Sequence, residues 1–116
     1  MPSNKHSGWL RLAAAVIALA PTMVPAQTVT GQIQTDRQKG RALARQVCAE
    51  CHAVRRQGGR SPNGEAPSFA SVAATPGMNE LALGVFFQTS HRNMPNIIFT
   101  PDQMREVTAY ILSLKR

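Results

Sequence analysis

The residues best suited to do chemistry in this chain lie in one pentapeptide, Cys48-Ala49-Glu50-Cys51-His52, which holds both cysteines of the 116-residue sequence. Three chemistries use such a group. Two neighbouring thiols can pair or serve as a redox dithiol, Cys and His can ligate zinc, and two thiols can add across the vinyl groups of a haem whose iron takes the imidazole that follows. A structural zinc site needs about four ligands, and past the amino-terminal stretch the sequence offers only His91 in addition. A thioredoxin-type Cys-x-x-Cys usually opens a helix after a buried strand, whereas "TDRQKGRALARQVC" has no β-branched run and a helical pattern. Cysteines three apart at a helix end point to one side, and Cys-x-x-Cys-His fixes a porphyrin through two thioether bonds and one axial ligand together. Cys48 and Cys51 are therefore read as covalent attachment points for haem c, with His52 as the proximal iron ligand.

The elements that must position this group are helical. Thr35 with Gln38 three residues later reads as a capping box, and Gly40, Leu43, Ala44 and Val47 recur on one face, so the cysteines close a helix. A short helix is expected over Asn79 to Gln88. Another opens with Thr100 as cap, Pro101 in first position and Gln103 completing a capping box, with Met104, Val107, Ile111 and Leu114 on its apolar face. "RRQGGRSPNGEAPSF" and "TSHRNMPNIIFT" read as loops between them. No repeat or second domain is visible.

The first 26 residues carry Lys5 and Arg11, an apolar run from Leu12 to Ala20, helix-breaking prolines, and small residues at Val24 and Ala26 before Gln27. This is the pattern of a secretory signal peptide, and the apolar run is too short for a bilayer span of roughly 20 residues. Residues 27–116 are then one exported domain without a membrane span, near the size at which an apolar core alone is marginal and a bound cofactor helps.

The second iron ligand has five candidates: Met78, Met94, Met104, His91, or a water or vacant site. Met104 falls on the apolar face of a helix and Met78 beside Pro76 and Gly77, where turn or core packing accounts for both. Met94 stands in a polar loop, a poor place for a flexible apolar side chain without a pocket, and Pro95 biases it toward extended backbone. His91 is its main rival and otherwise a solvated loop residue.

Gly40 eight residues before Cys48, "CAECH", "APSF" from Ala66 to Phe69, "MPN" from Met94 to Asn96 and the closing "REVTAYILSLK" together resemble the small soluble class I, monohaem cytochromes c, over most of Gln32 to Arg116. The resemblance implies a single all-α domain of three to four helices around one covalently attached haem. It further implies terminal helices that cross with a small residue accepting an aromatic, positions that Gly40 and Tyr110 match, while Ala44 stands where many members carry an aromatic. By the same resemblance the Met-Pro pair makes Met94 the distal ligand, and the Pro67 carbonyl accepts a hydrogen bond from the proximal imidazole. Trp9 lies in the signal, so any propionate contact made through Trp in the family falls to other residues, with Arg55, Arg56 and Arg60 as candidates.

Ligation by His and Met raises the potential relative to two His and leaves no open iron site. The expected function is therefore periplasmic transfer of single electrons, not catalysis, and no Ser/His/Asp set or recognisable carboxylate pair suggests otherwise. From Gln27 onward eleven Lys and Arg stand against six acids, a net of +5. Export and the lack of an aromatic-interleaved basic strip set nucleic acid aside, so the charge points to redox partner proteins with an acidic docking face, steered toward a positive haem edge on a monomer. Two alternatives remain: a haem c subunit of a dehydrogenase or oxidase complex, and a small haem enzyme or sensor with an open iron.

Overall fold

The computed structural model describes residues 29–57, 59–89 and 94–116, and both the segment read as a signal peptide, 1–26, and His91 lie outside them. Among the described residues there are four α-helices and no strand: α1 (Val29–Leu43), α2 (Phe69–Ala74), α3 (Glu80–Gln88) and α4 (Pro101–Leu112). A π-helical turn, Ala44–Cys48, extends α1 and closes with Ala49 N–H bonded to the Ala44 carbonyl at 3.0 Å. Cys48 is the last residue of this helical stretch, as the pattern before it predicts. No described helix is long and apolar enough to cross a membrane.

Helix α1 starts earlier than its sequence suggests. Thr35 does not cap it; the hydroxyl donates to the Gly31 carbonyl at 3.0 Å from within the helix. That bond competes with the cap geometry, and nothing between Val29 and Thr35 forces the chain out of the helix. The other starts follow the sequence. Asn79 caps α3 through Ala82 N–H, and at α4 Thr100 and Gln103 form the reciprocal capping box with Pro101 in the first turn. Thr75-Pro76-Gly77-Met78 turns between α2 and α3, with Met78 N–H on the Thr75 carbonyl and Gly77 at φ 78°. The third position of a type II turn requires that positive φ.

The most extensive contact between helices is α1 on α4. It depends on Gly40, where a β-carbon would lie 1.8 Å from the Glu106 carbonyl oxygen. The main chain of Glu106 and Val107 therefore occupies the space over Gly40 directly, one turn before Tyr110. Two polar ties flank the crossing. Buried Asp36 accepts from Arg105 Nε at 3.2 Å and from Gln32 at 3.0 Å, and Lys39 pairs with Glu106 at 3.5 Å. Ala44, Val107, Ile111 and Leu114 are buried on the same seam, and Ala73 of α2 and Leu83 of α3 complete the core against α4. Met104 is half-buried beside them.

Gly40→Ala forces a methyl into main-chain atoms that no rotamer change can move. Chemical denaturation is predicted to show a loss of about 3 kcal/mol, the upper part of the range for overpacking, against a much smaller loss for Gly64→Ala, whose added carbon meets nothing within 4 Å.

Candidate functional site

The helical stretch ends at Cys48 and the chain stays wound for one more turn. His52 N–H bonds the Cys48 carbonyl at 2.8 Å and Cys51 N–H does so at 3.2 Å. This turn brings Cys48, Cys51 and His52 to one cleft, which they line together with Pro67 and Met94. Its wider part is an apolar cavity of about 370 Å³ under α2, α3 and α4, walled by residues that include Phe69, Val72, Leu83, Phe87 and Ile111. Its narrower part, about 100 Å³, lies at the Cys51 side and takes Glu50 and Glu65 into its rim.

The backbone on either side of His52 is tied at four polar groups. Asn63 N–H bonds the Cys51 carbonyl at 3.2 Å, Ala53 N–H donates to Ser61 Oγ at 3.0 Å, Phe69 N–H bonds the Ala53 carbonyl at 3.0 Å, and the Tyr110 hydroxyl donates to the Val54 carbonyl at 2.6 Å. The imidazole is held as well. Nδ1 lies 2.8 Å from the Pro67 carbonyl oxygen, and the ring packs on Phe69 with centroids 5.4 Å apart. A carbonyl only accepts, so Nδ1 carries a proton, and in the neutral tautomer this leaves the lone pair on Nε2. This is the arrangement that orients a metal-binding histidine and strengthens its donor nitrogen.

Of the described methionines, Met94 alone lines both parts of the cleft; Met78 reaches the wider part and packs on the core, and Met104 lines neither. The loop that carries Met94 is fastened at its far end by Phe99, whose ring meets Phe87 of α3 edge-on with centroids 5.4 Å apart. Pairs of this geometry add about 0.5–1.5 kcal/mol beyond their buried area.

The two thiols differ in setting. Cys48 is buried, and burial pushes its pKa up to about 11. A redox dithiol attacks through a thiol whose pKa is lowered, and Cys48 is not in such a setting. No group of three or more His, Cys, Asp or Glu among the described residues could hold a metal ion by themselves. The donor set that does converge, one imidazole nitrogen and one thioether in an apolar slot beside two thiols, fits a haem bound through its iron and its rim. Among the described residues no Lys or Arg lines the cleft.

Sequence pattern alone missed Ser61, Phe69 as the ring beneath the imidazole, and the Phe87–Phe99 pair. Leu83 and Phe87, four apart on α3, carried a helical-spacing signal for the cleft wall. Ser61 carried none, because a serine in a loop of Gly, Pro and Ser looks like any other.

Residues 37–115 match the family model described as Cytochrome c. The chain is also 32% identical over 90 residues to cytochrome c-552 of Bradyrhizobium diazoefficiens, covering 78% of this chain and 86% of that protein. No solved structure gives a significant match.

Removing the Ser61 hydroxyl leaves the Ala53 N–H, next to His52, without its acceptor. Ser61→Ala should lower the unfolding free energy by about 1 kcal/mol, the low end of the cost of stranding a donor, because the site is only partly buried, while circular dichroism shows unchanged helix content.

Proposed function

Because the chain belongs to the cytochrome c family, whose members carry covalently attached haem c and move electrons through it, we propose that it is a periplasmic carrier of single electrons with iron held by His52 and Met94. Residues 1–26 act as the export signal and 27–116 as the working domain. The observation that carries the reading is the convergence of Cys48, Cys51, His52 and Met94 on one apolar cleft with His52 Nδ1 already engaged by Pro67.

Each of these residues has a distinct task. Cys48 and Cys51 anchor the haem rim to the end of the helical stretch through thioether bonds, which consumes both thiols. His52 offers Nε2 from one side, its direction set by Pro67 and Phe69. Met94 offers its sulfur from the loop that Phe99 fastens to α3. The bound haem supplies a reversible one-electron change at iron. The protein keeps that change cheap by holding the same two donors in both oxidation states and by surrounding them with apolar side chains. Held by His52 and Met94 together, the iron would have no open position for a small molecule, which makes the chain a carrier rather than an enzyme. It meets its redox partners as a monomer. The net charge of +5 over residues 27–116 favours partners with acidic faces through long-range attraction that salt weakens.

Visible and near-infrared absorption of the oxidised, haem-loaded protein tests the ligand set. The native protein should show the weak long-wavelength charge-transfer band of sulfur-bound ferric iron. Met94→Ala should lose it and let the reduced form bind carbon monoxide, whereas Met78→Leu, Met104→Leu and His91→Ala keep it. Met94→His should lower the reduction potential, since imidazole replaces the softer thioether. A band that survives Met94→Ala would remove Met94 from the iron.

A further inference from the structure

Four arginines that sequence alone does not bring together share one groove. Arg37 and Arg41 on α1 face Arg55 and Arg56 on the loop after His52, across a space of about 840 Å³ closed at its end by the last turn of α4. All four are exposed. Gln34 and Gln38 add side-chain amides to the same wall, and no carboxylate is among the described residues that line it. The ion pairs of the described residues, Lys39 with Glu106 and Arg105 with Asp36 and Asp102, use none of these arginines. Arg56 spends one N–H on the Ser113 carbonyl at 2.6 Å, which steadies it across the end of α4. The groove shares no lining residue with the haem cleft.

Like charges gathered in this way repel, and an anion entering between them relieves the repulsion. Arg37 and Arg41 are one helical turn apart on one face, with β-carbons about 6 Å from each other. Opposed by two further guanidinium groups, they offer planar forks to several acceptor oxygens at once. A phosphate presents three acceptor oxygens and up to two charges in a small volume, and arginine forks match it in two-point contact. A single carboxylate leaves most of these donors unused. The volume lies within the ordinary range of small-ligand sites, about 300–1,000 Å³.

We infer that the groove between α1 and residues 55–56 is a binding site for a ligand that holds two or more phosphate groups close together, separate from the site of electron transfer. The phosphates can come from a soluble polyphosphate or from the headgroups of an anionic phospholipid surface.

The test uses the haem-loaded protein at low ionic strength. Tripolyphosphate is titrated by calorimetry, binding to vesicles of equal parts phosphatidylcholine and phosphatidylglycerol is followed by sedimentation, and polyglutamate serves as a carboxylate probe. Arg37→Gln/Arg41→Gln removes two groove charges; Arg45→Gln/Arg116→Gln removes two charges outside the groove. An unchanged haem spectrum in each variant shows that the fold and the iron ligands are intact, so the outcome does not hinge on the electron-transfer reading. Binding of tripolyphosphate, weakened about tenfold or more by the groove pair and little by the other pair, supports the site with a soluble ligand. The same pattern with vesicles alone supports it with a lipid ligand. Equal weakening by both pairs, no binding of either phosphate probe, or groove-dependent binding of polyglutamate only would each overturn it.

Discussion

The bond between His52 Nδ1 and the Pro67 carbonyl is the contact on which the rest of the architecture converges. An imidazole can serve an iron only if one nitrogen is free and the ring cannot swing. The first condition comes from the carbonyl, which takes the proton-bearing nitrogen, and the second from Phe69 beneath the ring. Pro67 and Phe69 in turn stand just before and at the start of α2, with Ser68 capping it between them. The Phe69 N–H returns to Ala53 beside the histidine. A short loop and a six-residue helix are thereby tied to the ligand they orient.

The larger frame reaches the same segment from the other side. Gly40 lets α1 lie on the main chain of α4, which brings Tyr110 to the Val54 carbonyl and Ile111 to the cleft wall. Core and site are thus one structure: the helix crossing that buries Ala44 and Val107 also fixes where the chain emerges after Cys48. Charge is distributed by a separate logic. Glutamates line the narrow mouth of the cleft, and four arginines line a groove that shares none of its described lining residues.

Much of this was legible in the sequence because local chemistry and tertiary structure agree. The pentapeptide defines its own turn, Thr100-Pro101-Asp102-Gln103 defines the start of α4, and Asn79 that of α3; each works through hydrogen bonds within a few residues. The Pro67 contact was legible only through resemblance, since nothing near Pro67 announces a partner fifteen residues away. Thr35 misled because the same Thr-x-x-Gln pattern also fits inside a helix, where the hydroxyl turns back to Gly31. Asp36 carried no sign of burial, because its partner Arg105 is 69 residues distant. The arginine groove was equally hidden: the periodicity of α1 pairs Arg37 with Arg41, but only the fold sets Arg55 and Arg56 opposite them.

The central claim is that iron in this protein is held between His52 and the sulfur of Met94. Proton magnetic resonance of the reduced, haem-loaded protein tests it most directly, because the methyl group of an axial methionine lies over the porphyrin and its ring current moves that signal far upfield. The account predicts one such three-proton resonance, assigned to Met94 by selective labelling. Its absence, or its assignment to Met78, would contradict the account.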